Sequence, residues 1–166
     1  MPKQLILLRH AKSDWPDTNI RDFDRPLSKR GINDATCMGK LLHDKGICPN
    51  LIISSDATRA FTTATLLAQQ FSYPTEQINT NHALYLAPPD TLLDAISNIS
   101  SNHENVLLVA HNPGITELAN HLTEIHIDNL PTCGVFIAKT ILPDWNAFRK
   151  TTASFVEFLS PKQNLN

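Results

Sequence analysis

The sequence is short of several things, and each shortage removes a class of protein. Only five glycines occur in 166 residues, beside an ordinary 42% of hydrophobic residues. That excludes collagen, low-complexity and disordered chains. The three cysteines, Cys37, Cys48 and Cys133, are odd in number and contain no C-x-x-C pair. They predict reduced thiols in a cytoplasmic protein, with neither a disulfide framework nor a zinc site. Near the start the longest apolar run is Leu5–Leu8, far short of a membrane span or a signal-peptide core, so neither membrane insertion nor secretion is expected. Charge is modest, at 18% with a net −2. The near balance hides an asymmetry: residues 1–60 carry ten Lys/Arg against seven acids, and the rest carry four against nine. A basic first third suits a small or local anion, whereas the overall sign is wrong for gripping a nucleic-acid backbone.

The length fits one domain over 1–166, large enough to bury about two-thirds of its unfolded surface. No repeat, linker or low-complexity tract interrupts it. Short apolar runs at Leu5–Leu8, Leu51–Ile53, Ala83–Leu86 and Val106–Ala110 predict buried strands, each followed by helical spacing. The first helix should begin at an N-cap, Ser28, with Ile32, Ala35, Gly39 and Leu42 inward. The second carries Ala57, Ala60, Ala64, Leu67 and Phe71 on one stripe. The third follows Pro88-Pro89, with Leu92, Ile96 and Ile99 inward. The fourth opens at Asn112-Pro113, an N-cap followed by proline at the first helical position. Val135–Ile141 and Ser154–Leu159 read as edge strands, at least one antiparallel. The expected fold is a three-layer α/β sandwich with a mostly parallel central sheet and antiparallel edge strands.

Ligands in open α/β sheets bind beyond the carboxyl ends of the strands, and three polar clusters fall there. Arg9-His10 follows the first strand, Ser54-Ser55-Asp56-x-x-Arg59 the second, and His111-Asn112 the fourth, at a helix N-terminus that favours anions. Two arginines and two histidines at one sheet edge make a phosphate-sized cationic pocket, because the guanidinium fork matches a tetrahedral oxyanion and never loses its charge. Taken singly, each has a plainer reading. His111 alone would be a hydrogen-bonded turn residue, Arg9 a strand-end ion pair, and Arg59 a partner for Asp56 one helical turn away. His43, His82, His103, His121 and His126 show no metal-ligand spacing and read as surface or cap residues. Trp15 either lines the pocket mouth or covers the sheet edge.

The clusters also occur in an order that resembles a known family. Leu8-Arg9-His10-Ala11-Lys12-Ser13-x-Trp15, Leu27-Ser28-x-x-Gly31, Ser55-x-x-x-Arg59-Ala60-x-x-Thr63-Ala64 and Val109-Ala110-His111-Asn112-x-Gly114 resemble the four motifs of the histidine phosphatase superfamily, which includes the cofactor-dependent phosphoglycerate mutases. Short length and the Arg25-Pro26-Leu27-Ser28 context look most like its SixA-like phosphohistidine phosphatases. The resemblance implies a phosphoglycerate mutase-like fold and makes His10 the nucleophile, with Arg9, Arg59 and His111 holding the phosphoryl group. Lys12, Ser13, Ser55 and Asn112 are further candidates for substrate contact. The roles are physically coherent: a histidine attacks only when neutral, and neighbouring guanidinium groups favour that form. The same cations stabilise the transferring phosphoryl oxygens, so no metal and no other cofactor is expected.

Departures from the family pattern narrow the activity. Mutases and many phosphatases of the superfamily carry a glutamate after the third strand as proton donor to the leaving group. Here Leu84-Tyr85-Leu86-Ala87-Pro88-Pro89 holds no acid, and the next is Asp90. Lys12 stands where mutases have an acid, and Pro16 where they have a phosphate-binding asparagine. The leading expectation is a metal-independent phosphatase acting on phosphohistidine, in a protein or a small phosphoramidate, through covalent phospho-His10. One alternative is a phosphomonoester phosphatase with Asp90 as the acid; otherwise Asp90 only complements a helix dipole. Another is a non-catalytic phosphate- or phosphoprotein-binding module.

Overall fold

Alternation along the first strand sets the architecture. In β1 (Lys3–Arg9), Leu5 and Leu7 face one side and Ile6 and Leu8 the other, and all four are fully buried. A strand apolar on both faces must be covered on both, and each such side chain contributes about 1.5–3 kcal/mol of gross burial energy. The computed structural model describes residues 1–165. After β1 the chain forms α1 (Lys29–Asp44), β2 (Leu51–Ser54), α2 (Thr58–Gln70), β3 (Asn79–Thr80), α3 (Pro89–Ser97), β4 (Asn105–Ala110) and α4 (Gly114–Leu122). It ends with β5 (Val135–Thr140), α5 (Ala147–Lys150), β6 (Ser154–Leu159) and α6 (Pro161–Asn164).

The six strands lie in the order β3-β2-β4-β1-β5-β6. β1 pairs in parallel with β4, β4 with β2 and β2 with β3, while β5 runs antiparallel between β1 and β6. One face of the sheet packs Ile6, Leu8, Ile52 and Leu107 against Met38 and Leu42 of α1 and Ala64 and Leu67 of α2. The other packs Leu5, Leu7, Leu108 and Phe136 against Leu92 and Ile96 of α3 and Ile115 and Leu118 of α4. The result is the three-layer sandwich, with the carboxyl ends of β1, β2 and β4 side by side at one edge.

Four local expectations are corrected. The third strand is Asn79–Thr80, and the apolar run at Ala83–Leu86 lies in and just beyond a 3-10 turn, His82–Leu84, capped by the Asn81 side chain on Ala83 N. That run is apolar because Leu84 is buried beneath it, not because it pairs. Ile32 is 46% exposed: the buried stripe of α1 runs through Gly31, Asp34, Ala35, Met38, Gly39 and Leu42, leaving Ile32 on its flank in the first turn. α4 starts at Gly114, and the Asn112 side chain takes no backbone N–H of its first turn: Nδ2 donates to Asn129 Oδ1 and Leu130 O, and Oδ1 accepts from Thr116 Oγ1 (2.6 Å). β5 is interior to the sheet, so β6 alone is the antiparallel edge on that side.

Candidate active site

The backbone beyond β1 is pinned before any side chain acts. His10 N donates to Ala110 O (3.1 Å), and Ala11 N donates to Thr63 Oγ1 (3.0 Å), which itself donates to Arg59 O (2.7 Å). Cys133, in the left-handed region at φ 59°, turns its N–H toward both Arg9 O (3.0 Å) and His10 O (3.1 Å). These bonds tie β1, α2 and the segment before β5 together, and His10 emerges 7% exposed.

Ring geometry fixes the tautomer of His10. His10 Nδ1 lies 2.8 Å from Ala11 O, a carbonyl that only accepts, so Nδ1 carries the hydrogen. Nε2 therefore holds the lone pair, and Arg59 Nε donates to it at 3.3 Å. Burial, together with the charges of Arg59, Arg9 and Arg25, outweighs the hydrogen bond to Ala11 and brings the His10 pKa down to about 4. The imidazole is thus neutral and nucleophilic at pH 7. His111 stands alongside with ring centroids 5.1 Å apart, and its Nε2 shares a 2.8 Å hydrogen bond with Ser55 Oγ. Burial first, then the neighbouring His10 and Arg59, push His111 down to about 3.

Around these rings lies a cleft of about 250 Å³ lined by Arg9, His10, Lys12, Ser13, Arg25 and Arg59, with Leu86, His111, Asn112 and Thr132 completing it. Arg9 reaches Leu130 O through Nη1 (3.1 Å), while Arg9 Nε and His111 Nδ1 are buried without a partner among the described residues. Orphaned buried polar atoms are uncommon. Both belong to residues that line one cationic cleft.

The motif residues that do not touch the cleft shape it. Ser28 Oγ caps α1 by accepting from Gly31 N (3.0 Å), and Ser28 N donates to Lys12 O (2.9 Å). A Cβ on Gly31 would stand 2.1 Å from Lys12 O, so only glycine lets the Lys12-Ser13 segment lie on the start of α1. Gly114 plays the same part for the Ala87 carbonyl, 1.9 Å from an added Cβ.

Of the residues singled out from the sequence, Arg9, His10, Lys12, Ser13, Arg59, His111 and Asn112 come together at the cleft. Ser55 lies behind His111 as its hydrogen-bond partner. Asp90 does not line the cleft: it is exposed in the first turn of α3. Arg59 bypasses Asp56, which pairs with His82 (3.0 Å). Trp15, 53% exposed, is not among the residues lining the cleft; the Arg25 guanidinium sits over its ring at 4.3 Å.

Three contributors escape sequence reasoning. Arg25 lines the cleft and donates to Ser13 Oγ (2.6 Å) and Asp22 Oδ1 (3.2 Å). Asp22 also accepts from Arg59 Nη1 at its carbonyl oxygen (2.7 Å), and from Arg59 Nη2 (3.0 Å) and the Tyr85 hydroxyl at Oδ2. Tyr85 in turn sets its ring edge-on to His111, with centroids 5.4 Å apart. For Asp22 and Tyr85 no spacing signal exists. For Arg25 the signal was its place in the Arg25-Pro26-Leu27-Ser28 context.

Comparison with known proteins agrees with this geometry. Residues 5–82 match the model of the histidine phosphatase superfamily (branch 1). An uncharacterized chloroplastic protein of Arabidopsis thaliana is 34% identical over 151 residues, covering 86% of this chain and 69% of that protein. The structure of SixA from Agrobacterium tumefaciens is 28% identical and superposes with a TM-score of 0.78 over 97% of this chain and 100% of that one. The protein histidine phosphatase SixA in complex with tungstate has the same fold, with a TM-score of 0.81 at 19% identity and 98% and 99% coverage. On its motifs, its fold and these relatives, the chain belongs to the histidine phosphatase superfamily.

Proposed function

We propose that this phosphatase hydrolyses phosphohistidine, carried by a protein or presented as a small phosphoramidate, through a covalent phospho-His10 intermediate. The observation that carries the reading is the pairing of a tautomer-fixed, neutral His10 Nε2 with a cationic cleft whose described lining contains no carboxylate. In the first step Nε2 attacks phosphorus and the bond from phosphorus to the leaving imidazole nitrogen breaks. Arg9, Arg25, Arg59 and Lys12 surround the cleft and stabilise the equatorial oxygens. In the second step water attacks phospho-His10, releasing phosphate and regenerating the imidazole. A phosphorylated imidazole departs neutral when already protonated, so it needs no dedicated acid. An alkoxide leaving group does need one, and general-acid help is typically worth about 10²–10⁴ in rate. That tungstate, a tetrahedral oxyanion, binds the structurally similar SixA supports an oxyanion in the cleft here.

The test is a ranking by kcat/KM: phosphohistidine or phosphoramidate first, activated aryl phosphates second, sugar or glycerate phosphates last. Excess chelator should leave all three unchanged. Brief reaction with labelled phosphoramidate should leave acid-labile, base-stable label on the wild type and none on His10→Ala. Label that persists in the variant removes His10 as nucleophile. If sugar phosphates turn over best and Asp90→Asn abolishes that activity, the phosphomonoester reading replaces this one. Label without release of phosphate would leave a binding module.

A further inference from the structure

Asp22 contacts both Arg25 and Arg59 of the cleft lining, yet does not line the cleft itself. It opens the 3-10 turn Asp22–Asp24 in the loop between β1 and α1, and its side chain is 39% exposed. Its acceptors take one N–H from each terminal nitrogen of Arg59, through the backbone carbonyl and Oδ2. Oδ1 takes a third donor, from Arg25, and the Tyr85 hydroxyl donates to Oδ2 beside Arg59. The outer edge of the Arg59 guanidinium is therefore occupied. Its inner edge begins at Nε, which points at His10 Nε2.

We infer that Asp22 is the positioning residue of the phosphoryl clamp: braced by Tyr85, its carboxylate fixes Arg59 and Arg25 so that both present the donors a phosphoryl group on His10 requires. The inference rests on the roles given above to His10 and Arg59. An arginine side chain has many rotamers, and its planar fork is useful only when its orientation is set. Misplacing a positioned group by about 1 Å costs on the order of 10²-fold in rate. Among the described residues the hydrogen bonds of the Arg59 head go to His10 and Asp22, with the Tyr85 ring 5.9 Å from its centre. The carboxylate also has no proton to give at neutral pH. Burial opposes its ionisation, but the hydrogen bonds from Tyr85, Arg59 and Arg25 win and hold its pKa at about 2. Asp22 therefore acts through the arginines, not as the missing acid.

The full chain is assayed as wild type, Asp22→Asn, Tyr85→Phe and His10→Ala, with an aryl phosphate and a phosphoramidate. Inhibition is measured with orthovanadate, which adopts the five-coordinate geometry, and with inorganic phosphate, which stays tetrahedral. Asp22→Asn should lower kcat by about 10–100-fold, weaken vanadate in proportion, and change phosphate inhibition less than vanadate inhibition. Its Tm and its fraction of labelled His10 should stay near wild type, and its pH profile between 5 and 8 should keep the same shape. Tyr85→Phe should move kcat the same way by less. Unchanged kcat overturns the inference, and so does a loss explained by a lowered Tm or a smaller labelled fraction. Tighter phosphate binding with faster turnover would make Asp22 an inhibitory latch on Arg59. Loss of a pH limb would make it an acid. Turnover by His10→Ala in the same assay would instead sink the reading of the site itself, whatever Asp22 does.

Discussion

The floor and the wall of the cleft are built by different forces. The floor, His10, Arg9 and His111, stands on the ends of β1 and β4, held by backbone bonds that continue the sheet into the site. The wall, residues 12–27 with Tyr85 and Leu86, has no regular ladder beyond a single bridge between Ser13 and Leu27. It is assembled from side-chain contacts: Arg25 on Trp15, Arg25 on Ser13, Asp22 on Arg25, Tyr85 on Asp22. Single exposed ion pairs contribute little, and only a network with several members orders a loop. On the proposed reading the floor supplies the nucleophile, and the wall sets how accurately the charge is aimed.

The largest effect that tests this contrast is at Arg59, which touches both parts. Arg59→Ala should cut kcat by about 10²–10³-fold, the usual cost of one oxyanion stabiliser. Near-wild-type kinetics would show that floor and wall act independently. Next comes the seam between loop and helix. Gly31→Ala forces a methyl group against Lys12 O and should cost about 1–3 kcal/mol, as overpacking does. Thermal unfolding should show a lower Tm, and phosphate inhibition should weaken as Lys12 and Ser13 shift. An unchanged Tm would mean the wall yields freely.

The smallest effect on turnover concerns pH and isolates the floor. Because His10 titrates near 4 in place of the ordinary 6.5, kcat/KM should hold nearly level from pH 7 to 5 and fall only as pH passes through about 4. A drop centred near 6.5 would mean that burial does not suppress the His10 charge. Stability has the same origin. The unfolded chain takes up protons on both histidines below about 6.5, whereas the folded chain resists until about 4 and about 3. Stability from these groups is complete above 6.5 and is lost as pH falls from there toward 3. Urea titrations at pH 7 and pH 5 should show the lower midpoint at pH 5.

The same division explains what could be read from the sequence. Floor residues sit at strand ends, where an apolar run stops and a helix begins, and that transition is visible in a string of letters. Gly31 and Thr63 were visible only as parts of a motif; the close approach to Lys12 and the bond to Ala11 N give them physical causes. Asp22 was not legible because Asp14, Asp17, Asp22 and Asp24 crowd one irregular loop, and only the fold brings one of them to Arg59. β3 was misplaced because a two-residue strand with both residues exposed carries no periodicity, while Leu84 nearby is apolar for its own reasons.

One consequence follows from the register of β1 with β4. Arg9 pairs with Ala110, so His10 and His111 are the next rung, carried past the last pair of the ladder. Neighbouring strands stand about 4.8 Å apart, and the two imidazole centroids are 5.1 Å apart. The sheet is a ruler, and the gap between the two imidazoles is one of its divisions. The placement of His111 beside His10 thus follows the strand spacing and is set by the sheet more than by the covering helices. Change of substrate, whether by evolution or by design, is left to the wall: recutting residues 12–27 and 85–89 alters what carries the phosphoryl group while the group itself stays the same.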